Sequence, residues 1–411
     1  MIRIPAPPTR LCSRSVELEP VPDLIACLPA PFGIVWLHRG EGFVAWGEAA
    51  RIEVGHGPER FLTASSAARN LLEGSEVEGE LGPLAFGSFC FDPDSPGSWL
   101  VIPAVVIRSS GGRSWMTLTG AGAAHPDIAR VAWEQTPDAT DGRPFPPPVS
   151  ERRWLEAVAS AREAVREGRL EKVVLARDLV VEFERPPDPR AVASRLTVAF
   201  PECFTFAGAG AVGATPELLV RRERGHVSSV TLGGSAPRAP DPAEDARLGE
   251  ALVASPKDRL EHELAVRTVR EALERVCGEV RCDPRPSLLP LANIQHLRTH
   301  LEGRLTTPLT ALELAGLLHP TAAVCGVPAE AALGVIRELE GIDRGHYAGP
   351  VGWVDAMGDG EWAIALRCAE LSGRRARLFA GAGIVSESDP EQELEETRLK
   401  LRAVLSALAG G

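Results

Sequence analysis

The chain has no long apolar run. Across its 411 residues the best candidate, DLIACLPAPFGIVWLHRG, is short and is broken by Pro29 and Pro31, so no segment suits a bilayer. It has no excess of positive charge. The 44 Lys and Arg stand against 56 Asp and Glu, a net charge of −12. That balance argues against a general nucleic-acid binder and leaves room for a small basic pocket. There is no Cys-x-x-Cys pair among the cysteines at 12, 27, 90, 203, 277, 282, 325 and 368. Cys277 and Cys282 are near each other, but no second pair follows at zinc-site spacing. Apolar flanks such as FGSFCFDP and IALRCAEL suggest reduced, buried thiols in a cytoplasmic protein. The start, MIRIPAPPTRLCSRSVELEP, lacks the apolar core and small-residue cleavage pattern of a signal peptide. No internal repeat or low-complexity tract is present. What remains is an ordinary globular composition, 44% hydrophobic and 24% charged. It is long enough for one large domain or for two to three smaller ones.

Residues 1–135 read as β-rich. EGFVAWGEAARIEV and SWLVIPAVVIRSSGGRSWMTLTG have strand composition punctuated by Gly and Pro. TPDATDGRPFPPPVS (136–150) reads as a loop or connector, because its prolines cannot join a ladder. A helix follows in SERRWLEAVASAREAVREG, with Ser150 as N-cap and Gly168 as stop. Its apolar stripe is Trp154, Val158, Ala161 and Val165. The lysine-headed stretch RLEKVVLARDLVV predicts a strand. A helix is expected near 188–199, then strands near 203–223 and 226–231 and a long helix from Pro256 to Val276. A helix near 308–318 precedes a Gly/Pro-rich stretch. Strands near 347–357, 361–371 and 375–385 lead into a terminal helix over 390–408. Without regular βαβ alternation, a doubly wound sheet is not expected.

Several charges fall where apolar residues belong. Strand alternation puts Lys172, Val174, Ala176 and Asp178 on one face and Val173, Leu175, Arg177 and Leu179 on the other. A lysine heading such a run either snorkels out at the strand end or carries chemistry. In SPKDRLEHELAVRTVREALERV the stripe of Leu264, Ala265, Val269, Ala272 and Val276 also takes in Glu261 by the helical period. A carboxylate there needs an arginine or a cation. In SESDPEQELEETRLKLRAVLSAL, Ser388 or Asp389 caps the helix and Pro390 sits in its first turn. Glu393, Glu396 and Lys400 share one flank, beside Leu394, Leu401, Leu405 and Leu408. First-turn acids ordinarily just complement the helix dipole. Yet LFAGAGIV comes directly before, read as a strand entering a Gly-rich turn whose N–H groups suit an anion. An anion site beside hard carboxylates suggests a carboxylate–Mg²⁺–anion bridge.

In GAVGATPELLVRRE a strand and tight turn deliver Glu217, either a plain turn residue or a carboxyl in a Gly-lined pocket with a raised pKa. TLGGSAPR offers close backbone approach at Gly234 and Ser235. His296 and His319 each fit a satisfied core histidine. Tyr347 and Arg367 come from GHYAGPVGW and GEWAIALRCAEL. Arg367 is either a carboxylate ligand or the partner of Glu361 or Glu370.

Together these stretches resemble the chorismate-utilising enzymes of the isochorismate synthase group. LEKVVLARDL, VGATPELLVRR, TLGGSAPR, SPKDRLEHEL, HLRTHLEG, LHPTAAVCGVP, YAGPVGW, GEWAIALRCAEL and LFAGAGIVSESDPEQELEETRLKL occur in family order. The resemblance implies one α+β domain over 1–411, with 150–408 as the chorismate-binding core and 1–149 as a looser β-rich part. The fold would be that of anthranilate synthase component I, two facing sheets wrapped by helices around the active site. By position, Glu261 and Glu396 would be Mg²⁺ ligands, with Glu393 a ligand or close behind one. Arg367, Tyr347 and the N–H groups of Ala382 and Gly383 would bind the pyruvyl carboxylate. Gly234 and Ser235 would line the ring site, with His296 by the departing hydroxyl and Glu217 as the acid that protonates it. Lys172 stands where members that add water keep a lysine base and members that add ammonia do not. Such a lysine must be neutral to act, which apolar neighbours favour. Two positions depart from the family pattern: Gly233 replaces an alanine, and Ala322 stands where proline is common.

The implied activity is a reversible, Mg²⁺-dependent conversion of chorismate to isochorismate, feeding menaquinone or siderophore synthesis. A salicylate synthase, which adds pyruvate elimination, is the nearest alternative. An aminating synthase and an inactive chorismate-binding protein are the others. Chorismate is the expected partner of a cytoplasmic monomer, with no nucleic acid and no membrane.

Overall fold

The computed structural model describes residues 10–29, 33–121, 142–144 and 151–409. Two large, almost wholly antiparallel sheets face each other, one of thirteen strands and one of ten. The larger sheet runs from the edge strand Gly142–Pro144 through Lys172–Phe183, Arg375–Ile384, Cys368–Ser372, Ala211–Thr215 and Phe204–Gly208 to N-terminal strands such as Ile34–His38. The smaller holds Ile294–Leu305, His226–Pro237, Leu218–Glu223, Gly360–Ile364, Pro350–Asp355 and Leu84–Ser88 in that order. Both draw strands from both halves of the chain.

The aromatics Trp36, Phe43, Phe86, Phe89 and Trp362, each at most 1% exposed, fill the space between the sheets. A second cluster packs the helices Pro189–Ala199 and Pro390–Ala409 onto the larger sheet, with Val192 and Leu196 against Val212 and Val404. The α+β class and the two-sheet layout are those expected.

Several elements differ in detail. The N-terminal part also holds a helix, Arg60–Glu73. A further helix, Pro242–Ala254, precedes the long Pro256–Glu274 helix, and Ala329–Leu339 occupies what reads as a Gly/Pro-rich stretch. Of the 136–150 connector, Gly142–Pro144 forms a strand. Pro144 is tolerated because this strand lies at the sheet edge. The rest of the connector and the Ser150 cap lie outside the described residues. LFAGAGIV is not a turn but the end of the Arg375–Ile384 strand. The stretch 361–371 is two strands in different sheets.

That last split positions the site. The chain passes from the smaller sheet to the larger through Ala365-Leu366-Arg367. It passes the other way through Pro216-Glu217, between Ala211–Thr215 and Leu218–Glu223. The two crossings lie side by side. Gly213 pairs with Cys368 in one sheet and Leu218 with Ala363 in the other. Ile364 N–H donates to Glu217 O at 3.1 Å and Ala214 N–H to Arg367 O at 3.2 Å.

Candidate active site

Each crossing carries one charged side chain into the same cavity, about 590 Å³ including its open mouth. Glu217 is 5% exposed. Burial pushes its carboxyl up to about 7, against the pull of Lys172, Arg367 and Lys400. Near neutral pH it holds a proton it can give away, the property of a general acid. Opposite it on the seam, Arg367 has φ 48, a left-handed conformation uncommon for a residue with a side chain. It pairs with neither Glu361 nor Glu370. Those bond Arg221 and Arg377, whereas Arg367 Nη2 donates to His296 Nε2 at 2.9 Å.

That contact settles the state of His296. Its Nδ1 lies 2.9 Å from Gly234 O, an acceptor only, so Nδ1 carries the proton and Nε2 accepts from Arg367. Burial first, then the Arg367 charge, push the imidazole down to about 3, and it is neutral. Gly234 presents that carbonyl from a left-handed position (φ 61) beside an irregularity in strand pairing between Gly233 and Ala236. Ser235 Oγ lies 3.2 Å from His296 Nδ1 and donates to Glu396 Oε1 at 3.3 Å. Tyr347, the single tyrosine of the chain, is stacked on Phe379 with ring centroids 5.1 Å apart. His319, by contrast, is a core histidine, its Nε2 3.2 Å from Phe91 O.

Carboxylates from two helices close the other side. Glu261 lies on the buried face of Pro256–Glu274, as its place in the stripe predicts. Its partner is Lys172 rather than an arginine: Nζ lies 3.2 Å from Glu261 Oε1 and 3.5 Å from Glu261 O. Lys172 is 0% exposed, so it does not snorkel. A Cβ on Gly383 would overlap the Glu261 carboxylate, so only glycine allows that approach. On the terminal helix, capped by Asp389, Glu396 pairs with Lys400 and Glu393 with Lys257, both at 2.5 Å. Burial, then repulsion from Glu396, push the Glu393 carboxyl up to about 7. Glu396 is held below the ordinary value. Burial is the largest influence and opposes its charge, but the charge and hydrogen bond of Lys400, with Lys257 behind them, together outweigh it.

Glu217, Gly234, Ser235, Glu261, His296, Tyr347, Arg367, Gly383 and Glu396 all line the cavity. Three expected residues do not. Lys172 lies behind the wall, against Glu261. Glu393 faces an adjoining cavity that shares Ser235 and Glu396 with the first. Ala382 is sealed in the sheet. Its register partner Leu175 alternates with Val174, whose N–H and C=O bond Cys325 and Arg344 away from the Arg375–Ile384 strand. Ala382 therefore spends its N–H on Leu175, and only Gly381 and Gly383 turn their backbones to the open edge. Lys400 Nζ takes the Gly381 carbonyl there at 2.9 Å.

The structure adds residues the sequence reading missed. Arg344 lines the cavity and donates to Val174 O at 2.7 Å, Val324 O at 2.8 Å and Glu340 Oε2 at 2.9 Å. Glu340 Oε1 in turn accepts from Ala176 N–H at 2.7 Å. This buried pair pins the Lys172–Phe183 strand to the wall that holds Val324. Lys257 and Lys400 were within reach of composition alone. Only three of the 44 basic residues are lysines, and Lys172, Lys257 and Lys400 are those three. Gly233 has its own explanation. A Cβ there would come within 2.9 Å of His262 Cα and 3.0 Å of His262 Nδ1.

The donor set suits a hard divalent cation. Glu261, Glu393 and Glu396 are near enough to repel one another, and all three are oxygen donors. As they stand they lean on lysines, and among the described residues no three Asp, Glu, His or Cys side chains are gathered as a ready metal site.

A family model described as "Chorismate binding enzyme" matches residues 35–409. The salicylate biosynthesis isochorismate synthase of Pseudomonas aeruginosa is 36% identical over 407 residues, covering 92% of this chain and 84% of that protein. The solved structure of MenF, the menaquinone-specific isochorismate synthase of Escherichia coli, matches with TM-score 0.82 and 26% identity over 98% of this chain and 96% of that one. Anthranilate synthase component I of Streptococcus pneumoniae matches with TM-score 0.69 and 21% identity, over 98% of this chain and 93% of that one. This last bears on the fold alone and agrees with the architecture expected.

Proposed function

The chain belongs to the chorismate-binding enzymes, and from that membership we propose that it is an isochorismate synthase, an isomerase that adds water to C2 of chorismate as the C4 hydroxyl leaves. The observation that carries this reading is Glu217, a buried acid raised to about 7 in a cavity whose wall also carries Arg367 and Lys400. A dianionic substrate suits Arg367 and Lys400, and a departing hydroxyl needs an acid that is still protonated near neutral pH.

In this mechanism Glu217 gives its proton to the C4 oxygen as that C–O bond breaks. Water forms the new C–O bond at C2, and Lys172, once it has left the Glu261 carboxylate and given its own proton to solvent, takes the water proton. One proton is given and one taken, so product and substrate are isomers and the reaction runs both ways. His296, held as the Nδ1–H tautomer, keeps Arg367 aimed. Arg367 and Tyr347 take the pyruvyl carboxylate together with the open backbone N–H of Gly383. Glu261 and Glu396, with Glu393 beside them, would hold Mg²⁺, which supplies the positive charge that lets a substrate carboxylate sit against acidic helices. The same reading takes the chain as one catalytic domain, a cytoplasmic monomer acting on a small molecule. No helix among the described residues is long and apolar enough to cross a membrane.

The test is product analysis with chorismate and Mg²⁺ in ¹⁸O-water, with and without ammonium. Isochorismate carrying one ¹⁸O in the first turnovers is expected. Equal salicylate and pyruvate from the outset would make it a salicylate synthase. A mainly aminated ring would remove Lys172 as the determinant of the nucleophile, and no conversion would leave a binding protein.

A further inference from the structure

All three lysines of the chain are spent on one task. Lys172 holds Glu261 at 3.2 Å, Lys257 holds Glu393 at 2.5 Å and Lys400 holds Glu396 at 2.5 Å. The fully buried pair elsewhere uses arginine, Arg344–Glu340, as does the partly buried Arg377–Asp178. The two cations differ in how they let go. A guanidinium forks onto a carboxylate through several fixed donors, whereas an ammonium is a point charge on a flexible stem that one contact holds.

We propose that the three lysines are resident counter-ions of the three carboxylates, that a divalent cation displaces them, and that this exchange detaches Lys172 from the Glu261 carboxylate, so that it gives its proton to solvent and is free to take one from the attacking water. The last clause rests on the function proposed above; the exchange itself does not.

Charge makes the exchange necessary. Three ammonium groups against three carboxylates leave no net attraction for a cation until an ammonium withdraws. Geometry makes it feasible. Lys172 has a second acceptor in Glu261 O at 3.5 Å, and Lys400 has one in Gly381 O at 2.9 Å. Each stays anchored when its carboxylate turns away. Lys257, at the lip of the adjoining cavity, bonds only Glu393 among the described residues. It is therefore the lysine whose removal changes the charge of the set without touching the substrate cavity.

The scarcity of lysine makes the test direct. Protein grown with lysine labelled with ¹³C at Cε gives three side-chain signals, assigned by single Lys→Arg substitutions. Mg²⁺ titration, with and without chorismate, should shift the Lys172 and Lys400 signals saturably. Calorimetry should show Lys257→Met binding Mg²⁺ about tenfold tighter than the parent and Lys257→Arg within about threefold of it. Mg²⁺ binding that leaves the lysine signals in place overturns the proposal, as does a Lys257→Met variant that binds no tighter. Absence of any Mg²⁺ binding overturns both this and the metal reading. Exchange without isochorismate production leaves the proposal standing and removes the function.

Discussion

Two buried ionic regions lie a few residues apart along the strand Lys172–Phe183, and they are built differently. Around Val174 and Ala176, Arg344 and Glu340 satisfy each other and three backbone groups, so nothing is left over for a ligand. Around Lys172, each carboxylate has one ammonium contact and an open side toward a cavity. The first arrangement is a fixture and the second is a set of loose ends. Burial alone does not separate a structural ion pair from a functional one. The number of satisfied donors and acceptors does.

The comparison predicts different failures. Lys172→Ala and Glu217→Gln should each lower kcat by about 10²- to 10⁴-fold with circular dichroism near that of the parent, since each removes a proton-transfer group, while Mg²⁺ binding stays unchanged in Glu217→Gln and tightens in Lys172→Ala, which frees Glu261 of its counter-ion. Turnover near the parental rate in purified Lys172→Ala would remove the base. Arg344→Ala should instead cost stability, about 3–5 kcal/mol in urea denaturation, because Glu340 is left buried without its cation. If Arg344→Ala kept its stability and lost only Mg²⁺ affinity, the distinction between the regions would collapse.

Glu261→Gln or Glu396→Gln should raise the Mg²⁺ concentration for half-maximal activity by about 10- to 100-fold or more, since even outer partners of a metal site cost that much. Activity should vanish with chelator and return with Mg²⁺; full turnover in chelator would end the metal assignment. Raised burial of Glu217 sets the pH dependence. Its folded value, about 7, lies above the ordinary 4.5. The protonated acid is therefore plentiful below about 7, and above it kcat should fall about tenfold per pH unit. A rate flat to pH 9 would exclude Glu217 as the acid. The smallest effect belongs to Gly233→Ala, which should cost about 1–2 kcal/mol by crowding His262 and leave the product unchanged. A change of product would place Gly233 in the choice of nucleophile.

The chemistry-bearing residues were legible because each broke a local pattern. Glu261 interrupts an apolar stripe, Lys172 heads an apolar strand, and Glu217 follows a Gly-lined turn. Such conflicts show in one short window. The partners did not, because they come from afar: Glu261 finds Lys172 across 89 residues and Glu393 finds Lys257 across 136. Arg344 was invisible for a similar reason: beyond Glu340, four residues away, it bonds the backbone carbonyls of Val324 and of Val174, 20 and 170 residues away. The Gly-rich LFAGAGIV was misjudged because small residues suit a crowded strand as well as a turn. There a Cβ on Gly381 would come 2.9 Å from Leu175 O.

The side-by-side crossings have a consequence in time. Glu217 and Arg367 ride on connections of two and three residues, each held to the other by ladder bonds on both sides. Neither is a loop that can flap. The amides of Ala214, Ile364 and Ala365 should be among the slowest in the molecule to exchange with deuterium, released only when both sheets part together. Acid and guanidinium then keep their separation for as long as the protein stays folded. Whatever motion turnover requires falls to the helices that carry the carboxylates and their lysines.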